Sequence, residues 1–151
     1  DGTQIAFSSR RSGNDEIYIL TLTDPDAEAV NITNHGASDT DPSWSHDGQY
    51  IAFVSDRDGN DLEIYVQDVA LENAPLNVSR SGGRDYEPTW SPDSTRVMFT
   101  SERFGDLDIV SVSTNIAFDA TDAVDVRRLT DESSESDQQA TWLPVIRAGQ
   151  D

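Results

Sequence analysis

Three stretches of this chain are copies of one another, and that periodicity constrains the fold more than any other feature. Asp1-Gly2-Thr3-Gln4-Ile5-Ala6-Phe7-Ser8-Ser9 aligns without gaps with Asp47-Gly48-Gln49-Tyr50-Ile51-Ala52-Phe53-Val54-Ser55 and with Asp93-Ser94-Thr95-Arg96-Val97-Met98-Phe99-Thr100-Ser101, at a spacing of 46 residues. Arg11, Arg57 and Arg103 stay in register, as do Gly13, Gly59 and Gly105. Each copy closes on a related ending: Asp39-Thr40-Asp41-Pro42-Ser43-Trp44, Asp85-Tyr86-Glu87-Pro88-Thr89-Trp90 and Asp137-Gln138-Gln139-Ala140-Thr141-Trp142. The third copy is longer, 52 residues between tryptophans against 46, and the excess around Asn115 to Asp125 reads as a loop insertion. A fixed period of this length marks an array of stacked supersecondary units.

Within one copy the pattern predicts four short strands. Pro42 to Ser45 is a brief inner strand, closed by a tight turn at His46-Asp47-Gly48, where glycine takes positive φ without a Cβ clash. Tyr50 to Ser55 alternates as a half-buried strand, and Arg57-Asp58-Gly59-Asn60 makes the next hairpin. Glu63 to Val69 alternates again, and a weaker fourth strand runs near Leu76 to Ser79. Four antiparallel strands per repeat of this length describe a propeller blade.

Trp44-Ser45-His46-Asp47-Gly48 and Trp90-Ser91-Pro92-Asp93-Ser94 resemble the W-S-P-D-G signature of PD40 repeats, the TolB-like branch of WD40-like propellers. The Ile-Ala-Phe-x-Ser-x-Arg-x-Gly run through Ser55, Arg57 and Gly59 fits the same pattern, as do Glu16-Ile17-Tyr18 and Glu63-Ile64-Tyr65. The sequence departs from it at His46, at Ser94, and at Trp142-Leu143-Pro144, where no Asp-Gly follows and the array is expected to stop. The expected fold is therefore all-β, with three four-stranded blades over residues 1–144 (repeats near 1–44, 45–90 and 91–142) and a tail at 145–151. In chain order the strands run three, four, four and one, the last at Ala140 to Pro144. Three blades do not close a ring, since propellers need four to eight. A second chain or segment is expected to complete six blades, as a two-fold homodimer exchanging terminal strands; the rival reading is the C-terminal half of a longer propeller.

Charge narrows the partners. There are 29 acidic residues against 10 basic ones, all of them arginine, for a formal charge of −19. Such a surface excludes nucleic acid and anionic membranes, whose binding rests on neutralised phosphates, and favours a cationic protein or peptide, a divalent cation, or a salty setting. No apolar run is long enough to span a bilayer. No signal peptide is visible; the start at Asp1-Gly2 reads as a processed or trimmed product. With no cysteine, the redox compartment is undetermined.

The search for catalytic chemistry finds little. Only His35 and His46 are present, with no G-x-S-x-G elbow, no zinc spacing and no phosphate loop. Acid pairs suited to glycoside cleavage, carboxylates about 5–10 Å apart, arise by chance among so many acids. Asp56-Arg57-Asp58-Gly59-Asn60-Asp61 fails the EF-hand template, because glycine falls one residue early and Gln67 stands at position twelve. The expectation is a non-enzymatic chain.

The repeated acid before each inner strand, Asp39, Asp85 and Asp137, with Asp41 and Glu87 beside the first two, is the candidate site. The TolB-like resemblance implies that it lies near the central channel, where a ring of carboxylates would hold Ca²⁺ or a basic group. The plainer reading, and the favoured one, is that each aspartate caps its turn. Arg11, Arg57 and Arg103 are read as structural, a bidentate bond to a neighbouring carboxylate locking adjacent blades. The three tryptophans are read as inter-blade core, and Asn31-Ile32-Thr33 and Asn77-Val78-Ser79 as strand-end structure rather than glycosylation sites. The resemblance implies a scaffold for protein contacts in a bacterial periplasmic or extracellular setting. The alternatives are the propeller part of a larger peptidase-type hydrolase, or a carbohydrate- or metal-binding surface protein.

Overall fold

A computed structural model describes residues 2–59, 61–114, 125–130 and 135–143. Asp1, Asn60 of the predicted hairpin, most of the predicted insertion, Pro144 and the tail at 145–151 lie outside them. Among the described residues, eleven strands form three antiparallel sheets. The first contains β1 (Gln4–Ser9), β2 (Glu16–Thr21) and β3 (Val30–Asn31) in that order. The second contains β4 (Asp39–Trp44), β5 (Tyr50–Ser55), β6 (Glu63–Asp68) and β7 (Leu76–Asn77). The third contains β8 (Asp85–Trp90), β9 (Arg96–Ser101), β10 (Asp108–Ser113) and β11 (Val126–Arg128). No helix among the described residues is long and apolar enough to cross a membrane.

The sheets are propeller blades, and the chain holds part of a propeller. The period-2 alternation does its work at β5: Ile51 and Phe53 pack with Ile17, Ile19 and Tyr65 toward the first sheet, while Ala52 and Val54 pack with Trp90, Val97 and Phe99 toward the third. Because the middle blade is covered on both faces, all six residues of β6 are buried. Trp90 lies in the second of these cores, stacked on Tyr50, as expected of an inter-blade tryptophan.

The Ser-x-Asp-Gly turn is built by its own side chains. Ser45 Oγ donates to Asp47 Oδ1 at 2.6 Å and accepts from the Tyr50 amide at 2.9 Å, and Gly48 follows at φ 72°. Ser91 and Asp93 repeat the arrangement, with Ser94 forced into the glycine position at φ 58°. Ser94 Oγ accepts the Asp47 amide at 3.1 Å, an inter-blade bond that offsets the strain.

Two details differ from expectation. The fourth strand is shorter than Leu76 to Ser79, since Ser79 leaves the ladder to let its hydroxyl receive the Ile64 amide at 2.8 Å. The expected last strand at Ala140 to Pro144 is not a strand over its described residues, Ala140 to Leu143. A strand is defined by a ladder, and no strand among the described residues pairs with it. Its backbone nevertheless follows the inner-strand course: the Asp137 amide donates to Leu107 O at 2.7 Å, as Asp39 does to Asp15 O and Asp85 to Leu62 O, each at 2.8 Å.

Candidate functional site

Each inner strand starts on an aspartate that ties two blades together. Its amide reaches the preceding blade, and its carboxylate reaches an arginine of its own blade. Asp39 is fully buried and accepts Arg57 Nη2 at 3.0 and 2.9 Å; Arg57 Nε donates to Ser55 Oγ at 2.9 Å, and its guanidinium lies over the Phe53 and Tyr65 rings. Asp85, also fully buried, accepts Arg103 Nη2 at 3.1 Å, while Arg103 bonds Ser101 Oγ and reaches back to Ser79 O of the preceding blade. Arginine suits this place because its planar fork bonds the carboxylate while its face stacks on aromatics. The carboxylate partner thus sits within the arginine's own blade, not across the seam as the sequence suggested.

Burial pushes the Asp85 carboxyl above its ordinary range, and the Ser101 hydroxyl and Arg103 guanidinium pull it back. Gly83 makes room here, since a Cβ would stand 2.8 Å from the Glu102 carbonyl carbon. Asp137 is half-buried.

A second repeated unit pins the outer strands. Glu16, Glu63 and Asp108, all buried, accept the hydroxyls of Thr33, Ser79 and Thr130. Burial raises the Glu63 carboxyl, opposed by the Ser79 hydroxyl and the Ser81 amide. Asn31 and Asn77 receive backbone amides of the residues two and three further on, so both N-x-S/T motifs are turn structure. In the EF-like segment, Asp58 accepts the Tyr65 hydroxyl and the Asn77 amide, and the Gly59 amide bonds Asp56 O in a hairpin turn.

The exposed carboxylates lie two residues further along the inner strands. The ladders shift register between Thr40 and Ser43 and between Tyr86 and Thr89, and the bulged residues Asp41 and Glu87 stand at φ 52° and 55°. Gln139 repeats the conformation at φ 59°. Left-handed backbone at a non-glycine residue is costly, by about 1–3 kcal/mol, and a bulge re-aims the side chain it carries. Asp41 and Glu87 accordingly line one pocket of about 300 Å³ with Tyr86, Thr100, Glu102, Leu107 and Gln138. Glu87 accepts the Gln139 amide at 3.2 Å and the Tyr86 hydroxyl donates to Glu102 at 2.9 Å; among the described residues Asp41 has no hydrogen-bond partner for its carboxylate. No three Asp, Glu or His side chains among the described residues are grouped as metal ligands. Sequence reasoning placed these acids beside the candidate site; the proline that follows each of them was the available signal of a bulge.

The family profile of the TolB β-propeller domain, PD40, matches residues 1–74. The putative TolB of Agrobacterium tumefaciens superposes with a TM-score of 0.72 at 26% identity, over 91% of this chain and 46% of that one. TolB of Acinetobacter baumannii gives 0.69 at 27% identity, over 89% and 31%. An oligogalacturonate lyase from Vibrio parahaemolyticus shares the fold at 20% identity and a TM-score of 0.55, over 75% and 34%. No curated protein matches. The chain spans less than half the length of either TolB structure. The Trp-Ser-x-Asp turn, the buried Asp–Arg–Ser unit and the blade order thus stand in a chain that superposes on TolB over nine-tenths of its length, and it is similar in fold and repeat pattern to the TolB-like, PD40-type β-propeller repeat proteins.

Proposed function

We propose that the chain is a non-enzymatic scaffold that binds a protein or peptide through a basic side chain received at the Asp41–Glu87 pocket. The observation that carries this reading is the pair of exposed acids held at strained, repeated bulges on one pocket wall. Strain kept at the same place in successive blades, around an Asp41 carboxylate that no described residue partners, suits a surface under functional demand. Asp39 and Asp85, the acids first singled out, spend their charge on arginine; Asp41 does not. The spread of Asp41, Glu87 and Glu102 suits a guanidinium or ammonium on an extended segment better than a compact ion cage. The −19 charge adds long-range steering of a cationic partner, which salt screens. In keeping with its TolB-like relatives, the scaffold belongs in a bacterial periplasmic or extracellular setting, and it works as a ring of six blades completed by a second chain or segment.

Calorimetric titration with an amidated arginine-containing peptide tests the site. Asp41→Asn is expected to weaken binding about tenfold, the equivalent of about 1.4 kcal/mol. Asp26→Asn/Glu28→Gln, which removes more charge elsewhere, is expected to leave it nearly unchanged. If the control loses as much as the site variant, the attraction is unspecific and the pocket has no role. A calcium titration read by thermal melting covers the metal form of the site: a rise in melting temperature at millimolar Ca²⁺ that Asp41→Asn abolishes would assign the cation to calcium.

A further inference from the structure

We infer that the seam between the second and third blades is a proton-responsive joint, in which the buried Glu63 holds a proton against Asp85 and which is firmest in acid. The two carboxylates meet at this seam from opposite sides. Glu63 opens β6 and is 4% exposed; Asp85 opens β8 and is fully buried. The Asp85 amide donates to the carbonyl of Leu62, the residue before Glu63. Ser79 links the two acids. Its hydroxyl donates to Glu63, and its carbonyl accepts the same Arg103 Nη2 that bonds Asp85 Oδ2 at 3.1 Å. The Ser81 amide adds a bond to Glu63 Oε2 at 3.0 Å.

Charge does not balance here. At the seam between the first and second blades, Arg57 bonds both oxygens of Asp39. At the second seam Arg103 divides its Nη2 between Asp85 Oδ2 and Ser79 O, and Asp85 Oδ1 is left buried without a hydrogen-bond partner among the described residues. The nearby hydroxyls give their protons elsewhere, Ser79 to Glu63 and Ser81 to Gly83 O. Among the described residues Glu63 has no cation in an ion pair with it, whereas Asp108, at the same position in the third blade, meets Arg128 at 2.8 Å. The charged groups around Glu63 are Asp85 and Arg103 on the seam side, and Asp58, Asp61 and Arg80 in the pocket that it helps to line at the rim. Arg80 is exposed and turns its Nε to Asn77 O, while Arg57 is taken by Asp39. One arginine thus serves two buried carboxylates. Two such charges in a dry seam repel, and burial favours the neutral form of the one that lacks the cation. That one is Glu63, whose carboxyl is pushed up by burial and then by the Asp85 charge, against the Ser79 and Ser81 bonds. A proton on Glu63 removes the repulsion and adds an O–H donor to a seam that has an unpaired acceptor.

A carboxyl that binds its proton more tightly in the folded chain contributes its full stability below the unfolded value, here 4.5, and loses it as pH rises through the folded value. Glu63→Gln fixes the neutral form at nearly the same size. In urea unfolding of the full chain, its margin over wild type in the folded-to-unfolded ratio is expected to grow about tenfold between about pH 4 and about pH 8. The Glu63 carboxyl carbon, followed by nuclear magnetic resonance in the wild type, is expected to titrate above 4.5. Ser79→Ala, which removes a donor to the charged form, should move that titration higher still. A Glu63→Gln margin that does not change with pH, or a Glu63 carbon that titrates at 4.5 or below, overturns the joint. The carbon titration needs no variant and decides the question even where Glu63→Gln fails to fold.

Discussion

The first and second blades contain nearly the same strand in different surroundings. β1 reads Ile5-Ala6-Phe7-Ser8-Ser9 and β5 reads Ile51-Ala52-Phe53-Val54-Ser55, yet Ile5 is 43% exposed and Ile51 is fully buried. Phe7 and Phe53 make the same stacked contact with the tyrosine of the next strand, at 6.0 Å in both, but only Phe53 is sealed. The difference is the inner strand. β4 covers the edge of β5, brings Asp39 to Arg57 and packs against β8 of the third blade, while among the described residues β1 has no such strand on that edge. Identical residues therefore contribute differently, because burial belongs to the neighbours as much as to the strand.

The largest test of that contrast is truncation of the paired phenylalanines. Phe53→Ala is expected to cost about 3–5 kcal/mol in urea unfolding, as large-to-small changes in sealed cores do. Phe7→Ala should cost markedly less, because its half-open site already shares its surface with water. Equal losses would mean that the first blade is covered in solution as fully as the second.

Next in size is the arginine unit. Asp39→Ala leaves the Arg57 charge largely buried without its partner, and breaking such a pair costs about 3–5 kcal/mol when it is fully desolvated. With Arg57 itself 11% exposed, the lower end is expected. Arg11→Ala loses ring stacking, worth about 0.5–1 kcal/mol at an exposed site, together with an exposed hydrogen bond to Ser9. A loss as large as that of Asp39→Ala would mean that Arg11 meets a carboxylate in solution.

The smallest effect is in the turns, and it is read against pH. The Ser91 and Thr95 hydroxyls hold Asp93 at about 2, below its ordinary value of 3.8. A depressed carboxyl contributes stability above its unfolded pKa and loses it as pH falls toward the folded one. Wild type should thus exceed Asp93→Asn in melting temperature above pH ~4, with the gap closing as pH falls toward about 2. A gap constant with pH would mean that the turn is held by shape and not by the charge.

Much of the blade was legible because its signals are local. The 46-residue period, the Asp-Gly turn and the alternation of Tyr50 to Ser55 each act within a few residues, and β5 falls where they placed it. Trp90 was legible as core for the same reason, recurring at one register position. The candidate site was legible only in part. Asp39 and Asp85 were found by repetition, but repetition alone does not distinguish an acid that binds arginine from one that faces a partner. That choice falls to the bulge, which turns Asp41 and Glu87 outward while their neighbours two residues earlier are sealed.

By itself, then, the sequence determined the repeat, the strand order, the turn chemistry and the acidity, all properties of short segments or of their sum. Tertiary structure decided which aspartate meets which arginine, which of two equal phenylalanines is dry, and that Trp90 reaches the Ser43 carbonyl of the preceding blade. Those outcomes depend on what packs against a blade's edge and faces, and a segment carries no local record of its neighbours.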